Sequence, residues 1–170
     1  MDLRKTLLQE HSSAVTTKIV DYVNDSPIRF KALVEVFITG PYRITQRAAW
    51  PLSYCVERHP GLITPYFKTL LDMLKRADAH VAVRRNIVRL LQFVQIPVRY
   101  RGRVATLCFD LLQDKREPVA VRVFAMTVLG NLVAHEPELT GELRVIIEDN
   151  LPYGSPAFTS RARKILKTLQ

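Results

Sequence analysis

The side chains able to do chemistry are few and widely spaced. Four histidines (His11, His59, His80 and His135) and two cysteines (Cys55 and Cys108) are scattered along 170 residues. A metal centre needs ligands at short helical or loop spacings, such as HxxxH, CxxC or clustered carboxylates, and none of these patterns occurs. A nucleophile on a Gly-x-Ser-x-Gly turn and a Walker loop are equally absent, and the 6 glycines are too few to build a phosphate cradle. His59 directly precedes a Pro and His135 a Glu-Pro, 76 residues further on. Both read as residues at helix C-termini, where an imidazolium suits the helix dipole. The two cysteines lie in apolar helical patterns and read as reduced core residues. No catalytic residue, metal or cofactor is expected.

Charge is the stronger signal. Lys+Arg total 25 against 16 Asp+Glu, a net charge of +9 with His neutral, and 17 of the 25 are Arg. Guanidinium forks suit bidentate contact with carboxylates and phosphates, so a basic, arginine-rich chain favours anionic partners: nucleic acid, acidic protein surfaces or anionic lipid. From Ala79 to Phe109 no acidic residue occurs, while Arg84, Arg85, Arg89, Arg99, Arg101 and Arg103 all fall inside. Arg85, Arg89, Arg99, Arg101 and Arg103 are the candidate partner- or nucleic-acid-binding residues. A second acid-free stretch, Leu151 to Gln170, carries Arg161, Arg163, Lys164 and Lys167. Solvated arginines facing the acids of neighbouring helices, such as Asp72, Asp110 and Asp114, are the competing explanation.

The elements that must position these residues follow from an internal repeat. Four segments align on Arg47, Arg84, Arg122 and Arg161, at separations of 37, 38 and 39 residues. Pro60, Pro97 and Pro137 run in phase, at intervals of 37 and 40. Within each period the apolar spacing is helical. Val121, Phe124, Ala125, Val128, Leu129 and Leu132 form one stripe of a 3.6-residue helix, and Val83, Ile87, Leu90, Leu91 and Val94 repeat it one unit earlier. Partner helices carry Phe30, Leu33, Val34 and Phe37, then Phe67, Leu70, Leu71 and Leu74, then Val104, Leu107, Cys108 and Leu111. A fourth carries Leu139, Leu143, Ile146 and Ile147. Ser26-Pro27, Thr64-Pro65 and Ser155-Pro156 predict helix starts with a capping hydroxyl and Pro at the first position, and Glu117-Pro118 and Glu136-Pro137 predict starts with a carboxylate. Pro51 falls inside a predicted helix, which it should kink or delay.

The segment Glu117-Pro118-Val119-Ala120-Val121-Arg122, continuing to Leu129-Gly130-Asn131-Leu132, resembles the second-helix signature of a HEAT repeat. That resemblance implies an armadillo-type stack of antiparallel helix pairs. In the family an Asp six positions before the Arg often bonds along the stack. Asp78 and Arg84 stand at that spacing, whereas Pro41 and Ser155 occupy the corresponding places before Arg47 and Arg161. Period, basic charge and helical stacking are also similar to the HEAT-like DNA alkylation-repair proteins, whose sites set aromatic residues beside a carboxylate in a basic groove. The single Trp here, Trp50, has Tyr54 one turn later instead of Asp or Glu. The repeat alignment matches Trp50 with Ile87 and Ala125, and Tyr54 with Leu91 and Leu129, so both are expected in the core.

The expected fold is therefore all-α: an α-α superhelix, a HEAT-like solenoid of about four helix pairs (26–58, 63–95, 99–134 and 137–169) after an N-terminal helical segment (2–24), in one domain spanning 1–170. Stacked pairs bury faces that no pair can bury alone and expose an extended surface. The first functional expectation is a non-catalytic scaffold for a protein partner, and the second is a nucleic-acid-binding protein. No run approaches the roughly 18 apolar residues of a membrane span, and the Met1–Lys5 start leads into no secretory-type apolar core, so a cytoplasmic location is expected.

Overall fold

The computed structural model of the chain describes residues 1–76 and 78–169. The fold is all-α, and among the described residues no strand occurs. The N-terminal segment divides into α1 (Leu3–Gln9) and α2 (Ser13–Val23), and four helix pairs follow. These are α3 (Pro27–Thr39) with α4 (Tyr42–Arg58), α5 (Phe67–Lys75) with α6 (Val81–Leu91), α7 (Val98–Gln113) with α8 (Val119–Val133), and α9 (Thr140–Asn150) with α10 (Pro156–Thr168). Short 3₁₀ turns at Pro60–Tyr66, Pro137–Leu139 and Leu151–Tyr153 join or enter the later helices.

Local chemistry explains several helix starts. The side chains of Asp2, Ser12, Ser26 and Ser155 accept the backbone N–H groups of Lys5, Val15, Arg29 and Phe158, satisfying donors that a helix start leaves open. Pro27 and Pro156 occupy the first helical position, as expected. Thr64-Pro65 behaves differently: Pro65 lies within the 3₁₀ turn and α5 begins only at Phe67. Pro118 is itself the capping residue of α8, as Pro41 and Pro97 are of α4 and α7, one position earlier than Pro at the first helical position would sit. Pro51 does not delay its helix. α4 starts at Tyr42 and runs through Pro51, forgoing the hydrogen bond that residue 51 would donate to the carbonyl of Arg47.

The chain forms two compact units, Met1–Val94 and Gln95–Gln170. In the first, α4 is the central helix, packed against α1, α2, α3 and α6. It buries residues around much of its circumference, including Ala48, Ala49, Leu52, Cys55 and Val56, and small alanines let neighbouring helices approach. Phe30, Leu33, Val34 and Phe37 of α3 are fully buried, as their spacing predicts. In the second unit α8 packs between α7 and α10. That two-sided packing buries Val123 and Met126 as well as Val121, Ala125, Val128, Leu129 and Leu132. Phe124, expected in the core stripe, is only half-buried.

Both cysteines are buried free thiols. Burial pushes each thiol up to about 12 from 9.0, Cys55 being slightly moderated by Arg58. The linkage has a definite sign. Unfolded thiols ionise first as pH rises above about 9, so the folded state holds more protons and stability falls until the folded thiols ionise near 12. Urea-unfolding curves between pH 8.5 and 11 should therefore decline more steeply for the wild type than for a Cys55→Ala/Cys108→Ala variant. Parallel declines would show that neither thiol is shielded.

Candidate functional site

The repeat arginines come first, because they decide how much positive charge the surface keeps. Arg47, Arg84, Arg122 and Arg161 all lie within the first two turns of α4, α6, α8 and α10, and all four are half-buried. Nη1 of Arg47 donates to the carbonyls of Leu7 (2.8 Å) and Leu8 (3.1 Å), at the C-terminal end of α1. Nε of Arg122 donates to the Leu112 carbonyl (2.9 Å) at the end of α7, and its Nη2 to Oδ1 of Asn150 (3.1 Å). These guanidiniums satisfy carbonyls that a helix end leaves without intrahelical donors. Burial draws the Arg122 guanidinium below its ordinary value, against the attraction of Asp114. Asp78, the residue at ladder spacing before Arg84, is gripped in a fork by Arg76 at 3.0 and 2.7 Å, which holds its carboxyl below the ordinary range.

The five candidate arginines divide between the units, with Arg85 and Arg89 on α6 and Arg99, Arg101 and Arg103 on α7. Arg85 is exposed. Arg99 is exposed, its guanidinium 4.9 Å from the Tyr100 ring centroid. Arg103 is half-buried. Arg89 is held by its neighbours: it lies 4.5 Å over the Tyr54 ring, donates to Oγ of Ser53 at 2.8 Å and pairs with Glu57 at 3.4 Å. Arg101 donates to the Ile96 carbonyl at 3.2 Å and pairs with Glu136 at 3.1 Å, its side chain only 16% exposed. Arg89 and Arg101 thus have their donors directed into the fold.

A concave site lies elsewhere, within the first unit. Ser13, Thr16, Thr17 and Val20 of α2 face Trp50, Tyr54 and Arg58 of α4 across a cleft of about 190 Å³. Both walls follow helical spacing: 13, 16, 17 and 20 share one face of α2, and 50, 54 and 58 stand one turn apart on α4. Trp50 and Tyr54 are half-buried cleft residues and not core residues. Their partner helix offers small hydroxyl side chains where a close-packed core would need bulk. Trp50 lies 6.2 Å from Tyr54 and 5.5 Å from His11, ring centroid to centroid. Nη1 of Arg58 meets Oδ1 of Asp21 at 2.7 Å, with half of the arginine side chain exposed. Residues 50, 54 and 58 were readable as an aromatic–basic stripe, but nothing in the repeat pattern showed that α2 would leave space in front of it.

His80 caps α6, its Nδ1 accepting the Ala82 N–H at 3.1 Å. In the neutral ring the hydrogen is then on Nε2, which donates to Oη of Tyr42 at 2.8 Å. This is structural chemistry at a helix start. His59 is the C-terminal cap of α4 and His135 follows the cap of α8, as their sequence positions indicate. Among the described residues no group of three or more His, Cys, Asp or Glu side chains converges as metal ligands would. Among the described residues no helix is long and apolar enough to cross a membrane.

Comparison with curated proteins and with solved structures gave no match. Residues 3–169 match the family model of the HEAT repeat domain, in agreement with the helix pairs and the in-phase arginines. The chain belongs to the HEAT repeat family.

Proposed function

We propose that the chain is a non-catalytic helical-repeat scaffold, a single repeat domain over 1–170, that binds an anionic protein partner in the cytoplasm. The observation that carries this reading is the fate of the arginines. Arg47, Arg89, Arg101 and Arg122 direct their donors to carbonyls, a hydroxyl, carboxylates and an amide of the fold. Those guanidiniums are thereby committed to the fold and not to a phosphate backbone, while a net charge of +9 still favours acidic surfaces. No cofactor enters this reading.

Nucleic-acid binding is the second reading, favoured by the exposed Arg163, Lys164 and Lys167 of α10 in a stretch without acids. Affinity purification from the source cells, with and without nuclease, discriminates the two. The scaffold reading expects a defined protein that survives nuclease and elutes with salt. Loss of every companion on nuclease treatment would overturn it. Direct titration with DNA and RNA at low salt is expected to give no binding. Five phosphate contacts would instead give log affinity falling with log salt at a slope of about −3.5 to −4.5.

A further inference from the structure

We propose that the cleft between α2 and α4 seats one apolar side chain, preferably aromatic, from an acidic segment of the protein partner; this rests on the scaffold reading above. Size is the first argument. A cavity of about 150 Å³ takes a benzene molecule, and pockets for cofactors and drug-sized ligands run from about 300 to 1,000 Å³. At about 190 Å³ the cleft admits one ring-sized group and no cofactor.

The walls define the chemistry of that group. Trp50 and Tyr54 present aromatic surface, which pairs with a ring in offset or edge-on geometry. Ser13 and Thr17 present hydroxyls able to meet the polar main chain that carries such a side chain into the cleft. Asp21 engages Nη1 of Arg58, and a guanidinium with five donors can still donate to a carboxylate from outside. The two helices carry Lys18, Arg43, Arg47 and Arg58 against Asp21 and Glu57, so the surroundings favour negative charge. A cationic ligand is disfavoured, because Arg89 already stands 4.5 Å over one face of the Tyr54 ring. One aromatic anchor in a pocket, flanked by polar contacts, is how interfaces concentrate binding energy.

Trp50 is the only tryptophan, so in the ¹⁵N-labelled full chain its indole Nε1–H gives one cross-peak that reports on the cleft. The probe is a capped acidic hexapeptide with a central Phe, compared with versions carrying Ala for that Phe or Lys for the acids, and with oligo(dT). The expected result is a saturable shift of the indole peak by the Phe peptide, at least about tenfold tighter than by either altered peptide. Thr17→Arg, at an exposed position on the cleft wall, should abolish the shift while moving the melting temperature by no more than about 2 °C. An unmoved peak at millimolar Phe peptide, an equal shift with oligo(dT), or unchanged binding by the Thr17→Arg variant would overturn the assignment. A protein partner captured equally by wild type and the Thr17→Arg variant would remove the cleft and leave the scaffold reading standing. Capture by neither would remove the scaffold reading, with the peptide titration judging the cleft alone.

Discussion

Phe37→Ala should destabilise the first unit by about 3–5 kcal/mol, the usual consequence of emptying a fully buried aromatic site. Phe37 is 0% exposed on α3, whose apolar face packs on the central helix α4. The loss is a large share of the about 5–15 kcal/mol that holds a typical domain together. Because α4 also supports α1, α2 and α6, the deficit should reach beyond the α3–α4 pair and lower the unfolding midpoint of the unit as a whole. Ile28→Ala on the same helix is the control: Ile28 is 83% exposed and its loss should change stability by no more than about 0.5 kcal/mol. Phe124→Ala, at a half-buried site on α8, should fall between the two. Urea denaturation of the three variants checks the ranking, and equal effects for Phe37 and Ile28 would mean that the wrong face of α3 is buried.

Gly40→Ala and Gly102→Ala should have opposite signs. Gly40 ends α3 with φ −69° and ψ 152°, a conformation open to any residue, so backbone freedom is not the issue. Crowding is. A Cβ at Gly40 would stand 2.6 Å from the Val36 carbonyl oxygen and 3.0 Å from Cγ2 of Ile44. The carbonyl belongs to the main chain of α3 and already accepts the Gly40 N–H, so it cannot swing aside. Opening the α3–α4 turn should cost about 1–3 kcal/mol, as overpacking does. Gly102 lies inside α7, and a Cβ there meets nothing within 4 Å. Alanine at that helix position should add about 1 kcal/mol of stability. Thermal melts of the two variants, moving down for the first and up for the second, test both contact distances at once.

The fold was legible because its repeat is written twice, in arginines near the starts of the second helices and in prolines after their ends. Helical spacing then gave the buried face of α5 residue by residue and that of α3 except for Val36, since each of those faces meets its neighbours mainly along one stripe. The same logic misassigned Phe124, because α8 is packed on two sides and a single stripe describes only one of them. It also put Trp50 and Tyr54 in the core. Repeat alignment reports a residue's position on its own helix, whereas burial depends on what the opposing helix offers. At α2 the opposing residues are Ser13, Thr16 and Thr17, too small to fill the gap. For the candidate arginines, sequence spacing gave their helices correctly but not the destinations of Arg89 and Arg101, whose side-chain acceptors Ser53, Glu57 and Glu136 lie 32 to 36 residues away along the chain.

The arginine contacts to Leu7, Leu8 and Leu112 are made to main-chain oxygen, and this bears on how the joints tolerate mutation. An Asp–Arg ladder needs two particular side chains, so replacing either one breaks it and repair requires a matched second change. A carbonyl acceptor is supplied by every amino acid. Substitution at Leu7, Leu8 and Leu112 is therefore filtered only by shape and hydrophobicity; at Arg47 the donor alone carries the chemical specificity, while at Arg122 the Asn150 amide shares it. In a saturation library, tolerance at Arg47 and Arg122 should be narrow, whereas the acceptor positions should accept other apolar residues of similar bulk. The asymmetry gives the Arg47 joint one essential letter instead of a two-letter code.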